Sequence, residues 1–299
     1  MNTNNTQNSS LDFFELILFL WQKKFTILLI SIIFGIAASI WSLSLTDKYS
    51  SSVLIVINEN NPSKSSGSNN QIDGGIASII GGSISGESLD QKSYAIEIIK
   101  SRIFIKSISN IPDVFDSVMA SNGYSKNSKK VLYNDSLYDA NQKKWKINKP
   151  SNEDFYNKFL QNLRISREPA GFIQITYTHH SPIFAKSILD IIIEELNDKV
   201  KEEDLNNAER SLDYLIKQLD KTQQKDLRES INNLIEENMK IKMLANIDEY
   251  YLIKPVDPPY IPEFKSYPAR TLMVLLSIIS GFILTSLSLI THKFIIKKY

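Results

Sequence analysis

Apolar residues in this chain gather in two long uncharged blocks near its ends, with shorter periodic stretches between them. The first block, Phe25 to Leu45, runs about 21 residues without a charge, and a helix needs about 20 such residues to cross a bilayer. A cleaved signal peptide would have a shorter apolar core of about 7–15 residues followed by small residues. Here the run continues through Trp41 to Leu45 and then meets Asp47 and Lys48, which predicts a retained anchor. The second block, Thr271 to Thr291, has the same length and the same lack of charge. Trp21, Trp41, Tyr267 and Tyr299 fall near the predicted interfaces, where amphipathic rings settle.

Between the blocks, Tyr49 to Ile57 is short and β-branched, the pattern of a strand. Asn58 to Glu87 is rich in Asn, Ser and Gly and predicts a mobile loop, with an apolar patch, Ile76 to Ile80, between its glycine pairs. Leu89 to Ile108 carries a helical stripe through Tyr94, Ile98, Ile105 and Ile108, stopped at Pro112. Asp113 to Asn148 is polar, with lysines beside Tyr133, Tyr138 and Trp145; a solvated insertion is the expectation, a grip on an acidic polysaccharide the alternative. Ser151 caps a helix to Leu163, with Glu153 and Asp154 in its first turn. Leu163 to Ser166 and Phe172 to Thr178 are strands around the turn Pro169 to Gly171, the second alternating as a one-sided sheet requires.

Ser181 as cap and Pro182 at the first helical position open the longest element. No proline interrupts it before Pro255, and a helix over 182–245 would be roughly 95 Å long. Such a helix must project and pack against other helices. Leu205, Ala208, Leu212, Leu215, Leu219 and Thr222 step by threes and fours, and after a slip Leu227, Ile231, Leu234, Asn238, Ile241 and Ala245 do so again. Heptad spacing of this kind makes a seam for a second helix. Packing between copies is the preferred reading, which makes Leu205, Leu212, Leu215, Leu219, Leu227, Ile231 and Leu234 the oligomer-packing candidates. An intramolecular hairpin breaking near Gln223 to Lys225 is the alternative. A final strand is expected over Glu249 to Val256.

Lys254 to Arg270 then connects to the second block with Pro255, Pro258, Pro259, Pro262 and Pro268. Proline fixes φ and removes a donor, so this segment is extended and stiff, a strut rather than a floppy tether.

Composition narrows the picture further. The charge is nearly balanced, so nothing suggests a nucleic-acid partner. Absence of cysteine removes disulfides, zinc-thiolate sites and a cysteine nucleophile. Neither a phosphate-binding glycine loop nor a paired nucleophile and base stands in recognisable spacing. His179 and His180 are adjacent, which in extended chain points them to opposite faces, a structural pair and not a metal site. The acidic runs Glu194–Glu195 and Glu202 to Asp204 read as solvated helix surface, with cation binding or a lumen lining as the lesser alternative. No catalytic residue, cofactor or metal is expected, and the chain reads as a non-enzyme. Lys23 and Lys24 before the first block, and Lys293, Lys297 and Lys298 after the second, place both termini in the cytoplasm. Leu11 to Trp21 forms a short amphipathic helix along the inner membrane face, capped by Ser10 or Asp12, after a disordered stretch to Ser10.

Taken together, several stretches resemble the bacterial polysaccharide co-polymerases, or chain-length determinant proteins. They are the helix Leu11 to Lys24 with Trp21, the Tyr49 strand, the helix ending Ile99 to Arg102, and the corner Gln174 to Pro182. The long helix and the proline-rich approach to the second span complete the likeness. The family pattern has two prolines separated by two residues, then Ser-Pro-Lys, then a glycine within the membrane helix. Pro259, Pro262, Pro268 and Gly281 match it, while Tyr267 replaces the serine, with Ser266 adjacent, and Ala269 the lysine, with Arg270 next.

The resemblance implies two transmembrane helices flanking an α+β periplasmic domain with a small mixed sheet and a very long projecting helix. The expected divisions are a cytoplasmic segment 1–24, a span 25–45, a periplasmic domain 46–270 with its connector 254–270, a span 271–291 and a cytoplasmic tail 292–299. Implied as well are an inner-membrane location, a homo-oligomeric ring, a polysaccharide polymerase as membrane partner and the polysaccharide chain as a further contact. The function implied is non-catalytic control of O-antigen or related chain length, in the type without a fused kinase. Alternatives are an adaptor for a separate tyrosine kinase in capsule export and a ligand-sensing receptor.

Overall fold

The computed structural model describes residues 13–58 and 91–298. The expected disorder before Ser10, the capping roles of Ser10 and Asp12, and nearly all of the loop 58–87 with its Ile76 to Ile80 patch lie outside those residues. The chain divides into two compact units, one made of residues up to Asp47 together with those from Ser266 onward, the other of Lys48–Lys265.

The first unit holds α1 (Phe13–Gln22), α2 (Lys24–Ser44) and α9 (Arg270–Lys298). Helices α2 and, in α9, Arg270–Lys293 are each long and apolar enough to cross a membrane, within a residue or two of the expected spans. They pack against each other antiparallel: Arg270 meets Asp47 at one end, Gly281 faces Phe34 mid-way, and Lys293 lies over the Phe19 ring at the other. The start of α2 and the far end of α9 therefore lie at the same end of the pair.

The second unit is an α+β body around a four-stranded sheet in the order β6-β7-β1-β8. Its strands are β1 (Tyr49–Ile57), β6 (Leu163–Arg167), β7 (Ile173–His179) and β8 (Ile253–Asp257). The sheet, expected to be mixed, is antiparallel in all three pairings. The tight turn at Pro169–Gly171 forces this for β6 and β7, with Ala170 and Gly171 in left-handed backbone at φ 62° and 89°. Strand β1 buries every second residue, Tyr49, Ser51, Val53, Ile55 and Ile57, and β7 does the same with Ile173, Ile175, Tyr177 and His179. One face is thus core and the other partly solvated.

Helix α7 (Pro182–Lys221) covers that core face with Ala185, Ile188, Leu189, Ile192, Ile193, Leu196 and Val200, its start capped by the Ser181 hydroxyl accepting from the Phe184 N–H. The helix expected over 89–108 is two, α3 (Gln91–Lys100) and α4 (Arg102–Ser109), because the Ser101 hydroxyl accepts from the Phe104 N–H and begins a new helix. The buried set shifts accordingly to Ala95, Ile96, Ile99, Phe104, Ile105 and Ile108, with Tyr94 and Ile98 only partly covered.

Residues 113–148, expected to be a solvated insertion, fold as α5 (Val114–Ala120) followed by two small hairpins, β2 (Ser121–Ser125) with β3 (Lys130–Tyr133) and β4 (Tyr138–Asp139) with β5 (Lys144–Trp145). Asp116 organises the second hairpin, its carboxylate accepting from the Trp145 indole at 2.9 Å and the Tyr138 hydroxyl at 2.8 Å. Tyr138 and Trp145 stack edge to face at 5.3 Å, and Phe115 continues the cluster onto Phe155 of α6 (Asn152–Asn162). Tyr138 is buried within this cluster, while Tyr133 and Trp145 are half-buried. The cap expected at Ser151 forms, and with Asp154 it closes a reciprocal capping box.

The helix expected to run unbroken over 182–245 stops at Lys221; after Thr222–Gln224 the chain reverses into α8 (Lys225–Ile247). The Arg228 guanidinium donates to the Leu219 and Thr222 carbonyls at 2.8 and 2.9 Å, tying the last turn of α7 to the start of α8. The two helices pack along each other, and Lys242 pairs with Glu209 across them at 2.9 Å.

Candidate functional site

Among the described residues, the features with the chemistry of a working part are a hairpin seam, a proline connector and a glycine-lined helix crossing. The seam expected for a second copy is occupied by this chain's own α8. Leu205, Leu212, Leu215 and Leu219 are half-buried and Ala208 fully so, while Leu227 and Ile231 face them from α8. Leu234 is exposed and Ile235 takes the inward place, four residues after the buried Ile231 and three before the half-buried Asn238, as a 3.6-residue repeat allows. Outside the seam, α8 exposes Met239, Met243 and Ile247 at four-residue steps, one face of a helix, with Tyr214 and Ile216 exposed on α7.

The connector begins in β8, where Pro255 stands opposite Ile55 beside a bulge. Strand β8 is a sheet edge, which is where a residue without an N–H is tolerated. Asn197 of α7 holds the approach to this strand. Buried, it accepts from the Leu252 and Ile253 N–H groups at 2.7 and 2.9 Å and donates to the Ile253 carbonyl at 3.0 Å. The Ser51 hydroxyl then donates to the Tyr260 carbonyl at 2.6 Å, so the chain beyond β8 keeps running along β1. Of the five prolines Pro259 and Pro262 are buried, Pro255 and Pro268 half-buried and Pro258 exposed. Pro255, Pro258 and Pro259 wall a recess of about 410 Å³ with Asp190, Glu194, Asp198 and Glu249. No group of three His, Asp or Glu among the described residues could hold a metal ion, and Asp204 instead accepts from the Tyr251 hydroxyl at 2.9 Å.

Gly281 sits where α9 crosses α2. A Cβ added there would lie 3.0 Å from the Phe34 Cβ and 3.2 Å from the Ser31 Cα, and one at Gly35 would lie 2.8 Å from the Ile278 side chain. Small residues at a crossing bring backbones close enough for dispersion and weak polar contacts, and the Ser277 hydroxyl donates to the Phe34 carbonyl across it at 2.9 Å. Arg270 closes the end of the pair on Asp47 at 2.9 Å.

His179 and His180 separate as adjacent strand residues must. His179 is buried, its Nε2 bonded to the Ser117 carbonyl at 2.9 Å and its Nδ1 accepting from the Ser181 N–H at 3.1 Å. Burial lowers its pKa to about 4, so the ring is neutral and ties α5, β7 and the start of α7 together.

Asn197, Asp116 and Gly35 were not singled out from sequence. A lone amide inside the run Ile191 to Val200 was the available signal for the first, and the small residue within the first span for the last.

Residues 9–110 match a protein family described as "Chain length determinant protein". No curated protein matches the chain. Among solved structures it is similar to a "full-length bacterial polysaccharide co-polymerase", at 15% identity and a TM-score of 0.41, over 96% of this chain and 99% of that one. It is also similar to a "Fragment of WzzB, Polysaccharide Co-polymerase from Salmonella Typhimurium", at 11% identity and a TM-score of 0.33, over 74% of this chain and 100% of that one. Likeness at those scores carries no weight of its own, and the likeness to the family rests on the matched segment, which includes α2, β1, α3 and α4. Over residues 9–110, about a third of its length, the chain is similar to the chain length determinant protein family.

Proposed function

We propose that this protein regulates the chain length of a surface polysaccharide, of the O-antigen or a related kind, without catalysing its polymerisation. The family match over residues 9–110 is the observation that carries this reading. Two antiparallel apolar helices bracketing one α+β body support it, since they suit a two-pass anchor with both termini cytoplasmic and residues 46–270 in the periplasm. The protein works as a homo-oligomer beside a membrane polymerase. The exposed stripe Met239, Met243 and Ile247 on α8, with Tyr214 and Ile216, is the surface that a second copy covers. The connector with Pro259 and Pro262 and the crossing at Gly281 relay packing among copies to the membrane helices. Deleting the gene in its host and resolving surface polysaccharide on a gel tests the reading: loss of the preferred length range is expected, and an unaltered distribution refutes it.

A further inference from the structure

At the end of the sheet where β1 begins, the body gathers positive charge. Tyr49 pairs with His179 and Ser50 with Thr178, the latter through their hydroxyls at 2.9 Å, so Lys48 and His180 extend past the same sheet end. Lys158 and Asn162, one turn apart on α6, face the same place. Lys48, Lys158, Asn162, Thr178 and His180 line a recess whose remaining wall is Val118, Ser121 and His179. Its volume is about 10 Å³, room for one water-sized group such as a single phosphoryl oxygen.

No carboxylate lines the recess, and neither lysine has an ion-pair partner among the described residues. The nearest acid in sequence, Asp47, is engaged with Arg270. Burial, and then the charge of Lys158, lowers the pKa of Lys48, the signature of a cation held in place without compensation. Two ammonium groups, the Thr178 hydroxyl, the Asn162 amide and the His180 ring are donors of the kind that oxyanions collect.

We propose that the recess between Lys48, Lys158 and His180 is an oxyanion site that takes a phosphate group, with Lys48 and Lys158 as its charged jaws and Thr178 and Asn162 as neutral donors. The phosphate comes either from a lipid headgroup or from solution, and the two sources are separable by experiment. Nothing in the site depends on the polysaccharide-length reading.

The test uses the full chain in a phosphate-free maltoside detergent. The thermal unfolding midpoint is measured on adding inorganic phosphate against chloride at equal ionic strength, and separately on adding phosphatidylglycerol against phosphatidylcholine. A rise of about 2–4 °C is expected at tenfold saturation in the wild type and in K48R/K158R. In K48Q/K158Q the concentration needed rises roughly tenfold or more. Response to inorganic phosphate supports a soluble ligand, and response confined to phosphatidylglycerol supports a headgroup. No response to either probe, or equal responses in all three proteins, overturns the site. If the double glutamine variant does not fold, K158Q, altered only at an exposed side chain, is judged by the same criterion.

Discussion

Asn197 ties α7 to the chain that leads into the connector, and its removal has a definite cost. Asn197→Ala leaves the Leu252 and Ile253 N–H groups buried without that acceptor, at about 1–3 kcal/mol for each unsatisfied group. Chemical denaturation of the 48–265 body is expected to show a loss of about 3 kcal/mol, and a change within 0.5 kcal/mol would contradict the clamp. His179 gives a pH signature. Its pKa is about 4 in the folded chain against an ordinary 6.5, so the unfolded state binds more protons between those values and stability rises with pH across that window. The contribution is complete above pH 6.5 and lost progressively toward pH 4, about 3 kcal/mol in all. The slope is expected to flatten in His179→Asn, measured as denaturation midpoints at pH 4.5 and 7. Sequence alone marked His179 as structural from strand geometry, but not its partners, because Ser117 and Ser181 reach it from separate elements.

Helix pairing is where sequence and structure part most informatively. The seam Leu205, Ala208, Leu212, Leu215 and Leu219 was legible because heptad spacing survives in any helix that packs on another. Which helix fills it was not, since periodicity is the same whether the partner is the same chain or a copy. Neither glycine nor proline marks the reversal at Thr222–Gln224; the Arg228 contacts that stabilise it span six and nine residues. By contrast, β1 follows from its β-branched run, β7 from local alternation and the Ser151 and Ser181 caps from hydroxyl placement; β1 and the caps fell where expected and β7 one residue later. The membrane pair gives a prediction at this scale. Gly281→Leu puts a side chain where a Cβ already meets Phe34 at 3.0 Å and the Ser31 backbone at 3.2 Å, so α2 and α9 must separate. With no native cysteine to interfere, oxidative cross-linking of a Phe34→Cys/Ser277→Cys pair is expected to drop severalfold in the Gly281→Leu background. Unchanged cross-linking would show that the crossing tolerates bulk.

At the scale of the molecule, the proposed function makes one working picture testable: copies packed through their hairpins, anchored by paired spans, setting how long a polymer grows. Met243→Glu places a charge in the exposed apolar stripe of α8 and is expected to lower the assembled mass in light scattering without unfolding the body; an assembly of unchanged mass would move the interface elsewhere. Pro259 and Pro262, the buried pair in the connector, are expected to influence polymer length and not insertion into the membrane. The most direct test is the length distribution of surface polysaccharide in a strain lacking the gene, re-expressing either the wild type or Pro259→Ala/Pro262→Ala. The account predicts that the preferred length range disappears in the deletion while polymer is still made, returns with the wild type, and shifts with the double variant. A deletion strain whose distribution matches its parent would contradict it.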